Sequence, residues 1–123
     1  MSTKKTNYVK GQLNCAETII DAYNKNNNTD IPVALGSGLG SGLTVASVCG
    51  AVNAAAIVMG AVKGRCSAAE PNEARALVNE LMKKFKEQHG SEICANILKG
   101  PTSCSDIVEF VYVELEKILN EKQ

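Results

Sequence analysis

The chain has 123 residues, room for one domain that buries roughly two-thirds of its unfolded surface and for no second one. Lys and Arg number 13, as do Asp and Glu, so the net charge is zero and no charge excess draws the protein to nucleic acid. Two Phe, three Tyr and no Trp, beside abundant Ala and Gly, imply closely approaching helices rather than a core of large rings.

The first residues, Met1-Ser-Thr-Lys-Lys-Thr-Asn7, carry neither the apolar run nor the small-residue cleavage site of a secretory signal, which predicts a cytoplasmic protein. Residues 1–10 read as a flexible arm. Asn14, three residues before Glu17, has the spacing of a capping box and opens a helix over 15–25 with Ala16, Ile19, Ile20 and Tyr23 on its apolar side. Polar Asn24 to Asn28 end it. Asp30 as N-cap and Pro32 as an early helical proline predict a short helix that the glycines from Gly36 onward stop.

The run Gly36 to Gly42 alternates Gly-x-Gly-x-Gly-x-Gly. With no strand before it, no Gly-x-Gly-x-x-Gly spacing and no Gly-Lys-Ser/Thr after it, the run is not a phosphate cradle. It predicts a loop that needs unusual backbone angles or close backbone approach. Between Asp30 and Lys63 there is no charged residue. A segment that is apolar all round is either the buried centre of a helical domain or a membrane span. Asn53 near its middle, its small side chains and the amphipathic helices elsewhere select the buried reading, with no membrane association. Ser47 is the expected N-cap, which places Cys49 in the first turn of a central helix reaching Val62. Gly50, Ala54 and Val58 form one small-residue face, and Ala51, Ala55 and Met59 another. Asn53 is expected to satisfy a buried hydrogen bond, with a role near Cys49 as the alternative.

Lys63 to Pro71 is a polar connection that holds Cys66. A third helix, Pro71 to Gln88, turns Ala74, Leu77, Val78, Leu81, Met82 and Phe85 to one face and charged residues to the other. Lys83, Lys84, Lys86 and His89 fall near its end, where positive charge suits the helix dipole. His89 has a second reading, as a proton donor or ligand close to Cys94. Ser91 to Cys94 begins a short helix ended by Gly100 and Pro101. Ser103 then caps a last helix over 104–121, with Ile107, Val108, Val111, Leu115, Ile118 and Leu119 inward. The expected fold is all-α: one helical domain, residues 1–123, a compact bundle of about four main and two short helices around the buried small-residue helix.

On this reading Cys15, Cys49, Cys94 and Cys104 all sit in first turns of helices. Free N–H groups and the positive dipole end there favour a thiolate, the form that attacks disulfides, binds soft metals and holds iron–sulfur clusters. Cys15 in Asn-Cys-Ala, glycine-rich sequence ahead of Cys49-Gly-Ala-Val-Asn-Ala, Phe85 and Gly90 ahead of Cys94, and Cys104 opening a last helix resemble the C_GCAxxG_C_C family of redox proteins, over about residues 11 to 118. Carried over, the family's cysteines fall on Cys15, Cys49, Cys94 and Cys104; Cys66 lies outside the pattern. Aligned on Cys49, the motif Gly-Cys-Ala-x-x-Gly meets Val48, Gly50 and Asn53. The resemblance implies redox or metal chemistry and names no substrate.

Five cysteines are too few for the disulfide scaffold of a small secreted protein, and an odd number cannot all pair within one chain. Four of them match the ligand count of an iron–sulfur cluster, and they could equally work as dithiols, with Cys94 and Cys104 paired through a fold-back at Gly100-Pro101. Either use implies a redox partner protein, and a homo-oligomer is compatible with both. The alternatives are a structural zinc site, with His89 as a nitrogen ligand, and a helical interaction module whose cysteines are merely buried. A cysteine hydrolase is excluded by a single His with no orienting partner.

Overall fold

The computed structural model describes residues 5–9, 11–97 and 103–121, with the side chains of Ala95 and Glu121 left aside. The fold is all-α. The helices are α1 (Cys15–Asn27), α2 (Gly50–Lys63), α3 (Ala74–His89), α4 (Cys94–Ile97) and α5 (Cys104–Glu121). No strand occurs among the described residues; the one β-type pairing is an isolated antiparallel bridge between Val48 and Ile93.

α2 is the axis of the bundle and packs against α1, α3 and α5. Both of its small-residue faces are used, because Gly50, Ala51, Ala54, Ala55, Val58 and Met59 are all buried. Around it close Ile19 and Ile20 of α1, Leu81 and Phe85 of α3, and Val108, Val111, Tyr112 and Leu115 of α5. No described helix is long and apolar enough to cross a membrane.

Local chemistry explains most of the boundaries. The Asn14 side chain accepts the Glu17 N–H at 2.7 Å while the Glu17 carboxylate accepts the Asn14 N–H at 2.9 Å, a complete capping box for α1. Ser103 Oγ accepts the Asp106 N–H at 3.2 Å and starts α5 where expected. Two expected caps fail. Asp30 caps nothing: a single 3₁₀ turn, Val33–Gly36, follows Pro32 without any side-chain cap. Ser47 is not the cap of α2 either: the helix starts at Gly50 and Cys49 itself holds the N-cap position, without a side-chain cap hydrogen bond.

The glycine-rich stretch becomes a loop, but glycine is not the residue that takes most of its left-handed turns. Ser41, Leu43, Thr44 and Ala46 have positive φ beside Gly42 at +64°. That conformation costs an L-residue on the order of 1–2 kcal/mol, so the surroundings must hold it. At Gly42 the reason for glycine is space as well as φ, since a Cβ would stand 2.6 Å from the Ser47 backbone and 2.7 Å from Cys94 Cβ.

Of the expected N-terminal arm, Lys5–Val9 is described and lies along α5. The N–H groups of Lys5 and Thr6 and the Thr6 hydroxyl all donate to the Glu109 carboxylate, at 2.7–3.1 Å.

Candidate functional site

Four elements deliver four cysteines to one cavity. Cys15 opens α1, Cys49 is the N-cap of α2, Cys94 opens α4 and Cys104 opens α5. All four line a cavity of about 190 Å³, together with Tyr8, Asn14, Ser41, Ala46, Gly50, Ile97 and Ile107. Among the described residues the lining holds no Asp, Glu, Lys, Arg or His. Cys49 is buried, while Cys15, Cys94 and Cys104 are partly covered.

Backbone contacts fix Cys49 and Cys94 relative to each other. Cys49 N–H donates to Glu92 C=O at 2.9 Å and Cys94 N–H donates to Ser47 C=O at 2.7 Å, on either side of the Val48–Ile93 bridge. Asn53 Nδ2 donates to the carbonyls of Val48 (3.2 Å) and Cys49 (3.0 Å), so it satisfies a hydrogen bond and steadies Cys49 through its backbone. Cys15 meets the start of α2 at Gly50, where a Cβ would lie 2.8 Å from Cys15 Sγ and 2.5 Å from Leu39 C=O. Asn14 ties α1 to the glycine-rich loop by donating to Gly36 C=O and Ser37 C=O.

The expectation that helix N-termini keep the cysteines ionised does not hold at Cys15, Cys49 or Cys94. Burial pushes the Cys49 thiol up to about 11, against the N–H groups of Ala51 and Val52 that face its sulfur and favour the thiolate. Burial also leads at Cys15, which is raised although the Ser41 N–H faces it, and at Cys94. The cysteines then oppose one another's ionisation: Cys104 and Cys15 act on Cys94, Cys15 and Cys94 on Cys49, and Cys104 on Cys15. With no cation among the described lining residues, a few N–H groups do not offset desolvation, and Cys15, Cys49 and Cys94 rest as neutral thiols.

Neither other candidate reaches the cavity. Cys66 is exposed in the connection before α3, its N–H donating to Glu70 at 2.9 Å. His89 packs between Phe85 and Phe110, with ring centroids 4.6 and 5.2 Å away, and burial lowers its pKa. Burial thus disfavours the cation that would suit the end of α3, and His89 is not among the residues lining the four-cysteine cavity. Its Nε2 is buried without a hydrogen-bond partner among the described residues. The fold-back at Gly100-Pro101 expected to pair Cys94 with Cys104 lies outside the described residues.

Convergence of the four cysteines in the order and spacing of one pattern matters because a single family model spans them all: the model described as "Putative redox-active protein (C_GCAxxG_C_C)" matches residues 13–118. The chain belongs to this family. No curated protein and no solved structure matches it. Measured against the C_GCAxxG_C_C motif, the local departures have physical reasons. Alanine does not fit at Gly50, where Cys15 and the Leu39 carbonyl occupy the space, and Asn53 supplies a side chain that glycine could not.

Among the described residues the donor set is four sulfurs in an apolar cavity with no charged side chain, which suits a group that takes thiolates and brings its own positive charge. Among the described residues no three His, Cys, Asp or Glu side chains are gathered to hold a single metal ion. Tyr8, Ser41 and Ala46 also line the cavity and carry no sequence signal for it. Ile97 and Ile107 do carry one, lying one turn after Cys94 and Cys104.

Proposed function

We propose that the protein is a redox carrier whose centre is an iron–sulfur cluster held by Cys15, Cys49, Cys94 and Cys104. The observation that supports this most is the meeting of four thiols on one cavity, with no charged side chain among its described lining residues. Four cysteines are the ligand set of [2Fe–2S] and [4Fe–4S] clusters, and a cluster spreads its ligands over several irons where zinc pulls four sulfurs onto one centre. Such a cluster supplies electron transfer, here with a redox partner protein. The chain's own part is to hold the sulfurs in place, to aim the N–H groups of Ser41, Ala51 and Val52 at two of them, and to keep the surroundings apolar.

Acid–base chemistry favours this over dithiol exchange. A cysteine that attacks disulfides needs thiolate character and access. Cys15, Cys49 and Cys94 are all raised, and none is exposed. As ligands the same thiols lose their protons to the metal, so their resting state is no obstacle.

Anaerobic reconstitution with ferrous iron and sulfide tests the reading. The expected product is coloured, contains iron and acid-labile sulfide, and leaves one reactive thiol, the exposed Cys66. Colourless protein that instead loses thiols in pairs on mild oxidation contradicts the cluster in favour of a dithiol carrier. Colourless protein whose cavity thiols react only on unfolding makes it a helical interaction module.

A further inference from the structure

Large apolar side chains left exposed are usually scattered singly over a surface. Here they are not. Among the described residues they are Val9, Leu13, Leu35, Leu43 and Val45, with Val45 76% and Leu35 52% exposed. Val9 follows Tyr8, Leu13 precedes Asn14, and Leu43 and Val45 lie between Ser41 and Ala46; all four of those neighbours line the four-cysteine cavity. Hydrogen bonds join the pieces into one rim. Gln12 N–H donates to Val9 C=O at 3.1 Å, and Asn14 Nδ2 donates at 3.2 Å to the C=O of Gly36, the residue after Leu35. Ser47 N–H donates to Gly42 C=O at 2.7 Å across the turn that carries Leu43 and Val45. In that turn Ser41, Leu43, Thr44 and Ala46 hold φ of +55° to +70°, a strained conformation for L-residues. Strain that puts two apolar side chains into water does nothing for a single chain, and it is offset when something covers them.

We propose that this rim is where a second copy of the chain docks, in a two-fold dimer whose contact lies over the mouths of both cavities. Charge decides between a second copy and a passing redox partner. Residues 35–46 contain no charged residue, and residues 8–15 contain only Lys10. In a two-fold contact each face meets its own copy, so a charged face repels itself and an uncharged apolar one does not. A face for transient partners uses charge to speed encounter, whereas apolar, charge-depleted composition is that of homodimer contacts. Cys15, Cys94 and Cys104 are only partly covered within one chain. Leu43 and Val45 of the second copy complete the apolar wall there and keep water from the site. That closure rests on the cluster reading; the dimer does not.

The test uses full-length protein carrying Cys66→Ser in reductant, so that no disulfide through the exposed Cys66 joins two chains. Mass is read by sedimentation equilibrium across a concentration series, before and after anaerobic reconstitution. The expected mass is twice 13.0 kDa, and added salt is expected not to dissociate the pair. Val45→Asp alters a mostly exposed side chain, and Leu43→Asp introduces a residue type that tolerates positive φ, so both are expected to keep the helical circular dichroism. Each is expected to weaken the dimer about a hundredfold or more, because every pair then buries two carboxylates in an apolar contact. A wild-type chain that stays at 13.0 kDa overturns the second copy and leaves the rim to a different partner. A dimer that both variants keep overturns the rim as its contact. In reconstituted protein exposed to air the cluster absorbance is expected to decay severalfold faster in Val45→Asp, and an equal rate overturns the closure. A chain that takes up no iron defeats the cluster reading alone, because the masses still decide the dimer.

Discussion

Cys49 illustrates how a residue's surroundings outvote its position. At the N-cap of α2 its sulfur faces the N–H groups of Ala51 and Val52, the arrangement the sequence suggests should ionise it, yet its thiol is pushed up to about 11. What the sequence could not show is that no Lys, Arg or His stands among the described residues that line the cavity. The consequence for stability has a definite sign. A pKa raised above the unfolded value of about 8.5 contributes stability that is fully present below that pH and is lost as pH rises through the folded value. Under reducing conditions the stability of the unloaded protein is thus expected to fall between about pH 8.5 and 11, and urea denaturation of Cys49→Ala is expected to show a shallower fall. His89 runs the other way. Its lowered pKa means that stability is present above the unfolded value of about 6.5 and is lost as pH falls through the folded value, so His89→Leu should flatten the acid side of the same profile.

Among the elements, α2 was the most legible, because a charge-free run of small residues flanked by amphipathic helices has few other ways to be buried in a small domain. Its start was less legible. Ser47 is a good N-cap by type, but Val48 after it is taken up in the bridge to Ile93 and the cap falls at Cys49. Gly50 gives the sharpest check on how α2 meets its neighbours. On helix propensity alone, Gly50→Ala would stabilise by up to about 1 kcal/mol. In the structure the new Cβ would stand 2.5 Å from Leu39 C=O and 2.8 Å from Cys15 Sγ. A net loss of about 1–3 kcal/mol is therefore expected, read as a lower thermal midpoint. Leu at Ala54, buried among α1, α3 and α5, should cost about as much for the same reason, and unchanged stability of either variant would contradict the packing.

For the molecule as a whole, the order of the four cysteines pointed to one site, and the fold does bring them to one cavity from the starts of α1, α2, α4 and α5. Tyr8 was not legible, because its place depends on Glu109, more than one hundred residues away, and on no local pattern. His89 misled for a related reason: a lone histidine near Cys94 in sequence packs between Phe85 and Phe110 instead. The account makes the four cavity cysteines a single unit and leaves Cys66 outside it. Iron bound per chain after anaerobic reconstitution, measured across the five single Cys→Ser variants, tests that most directly. Cys66→Ser is predicted to keep the wild-type iron content and absorbance, and Cys15→Ser, Cys49→Ser, Cys94→Ser and Cys104→Ser each to lose most of both. Loss of iron in Cys66→Ser, or full loading in two or more of the other four, would contradict it.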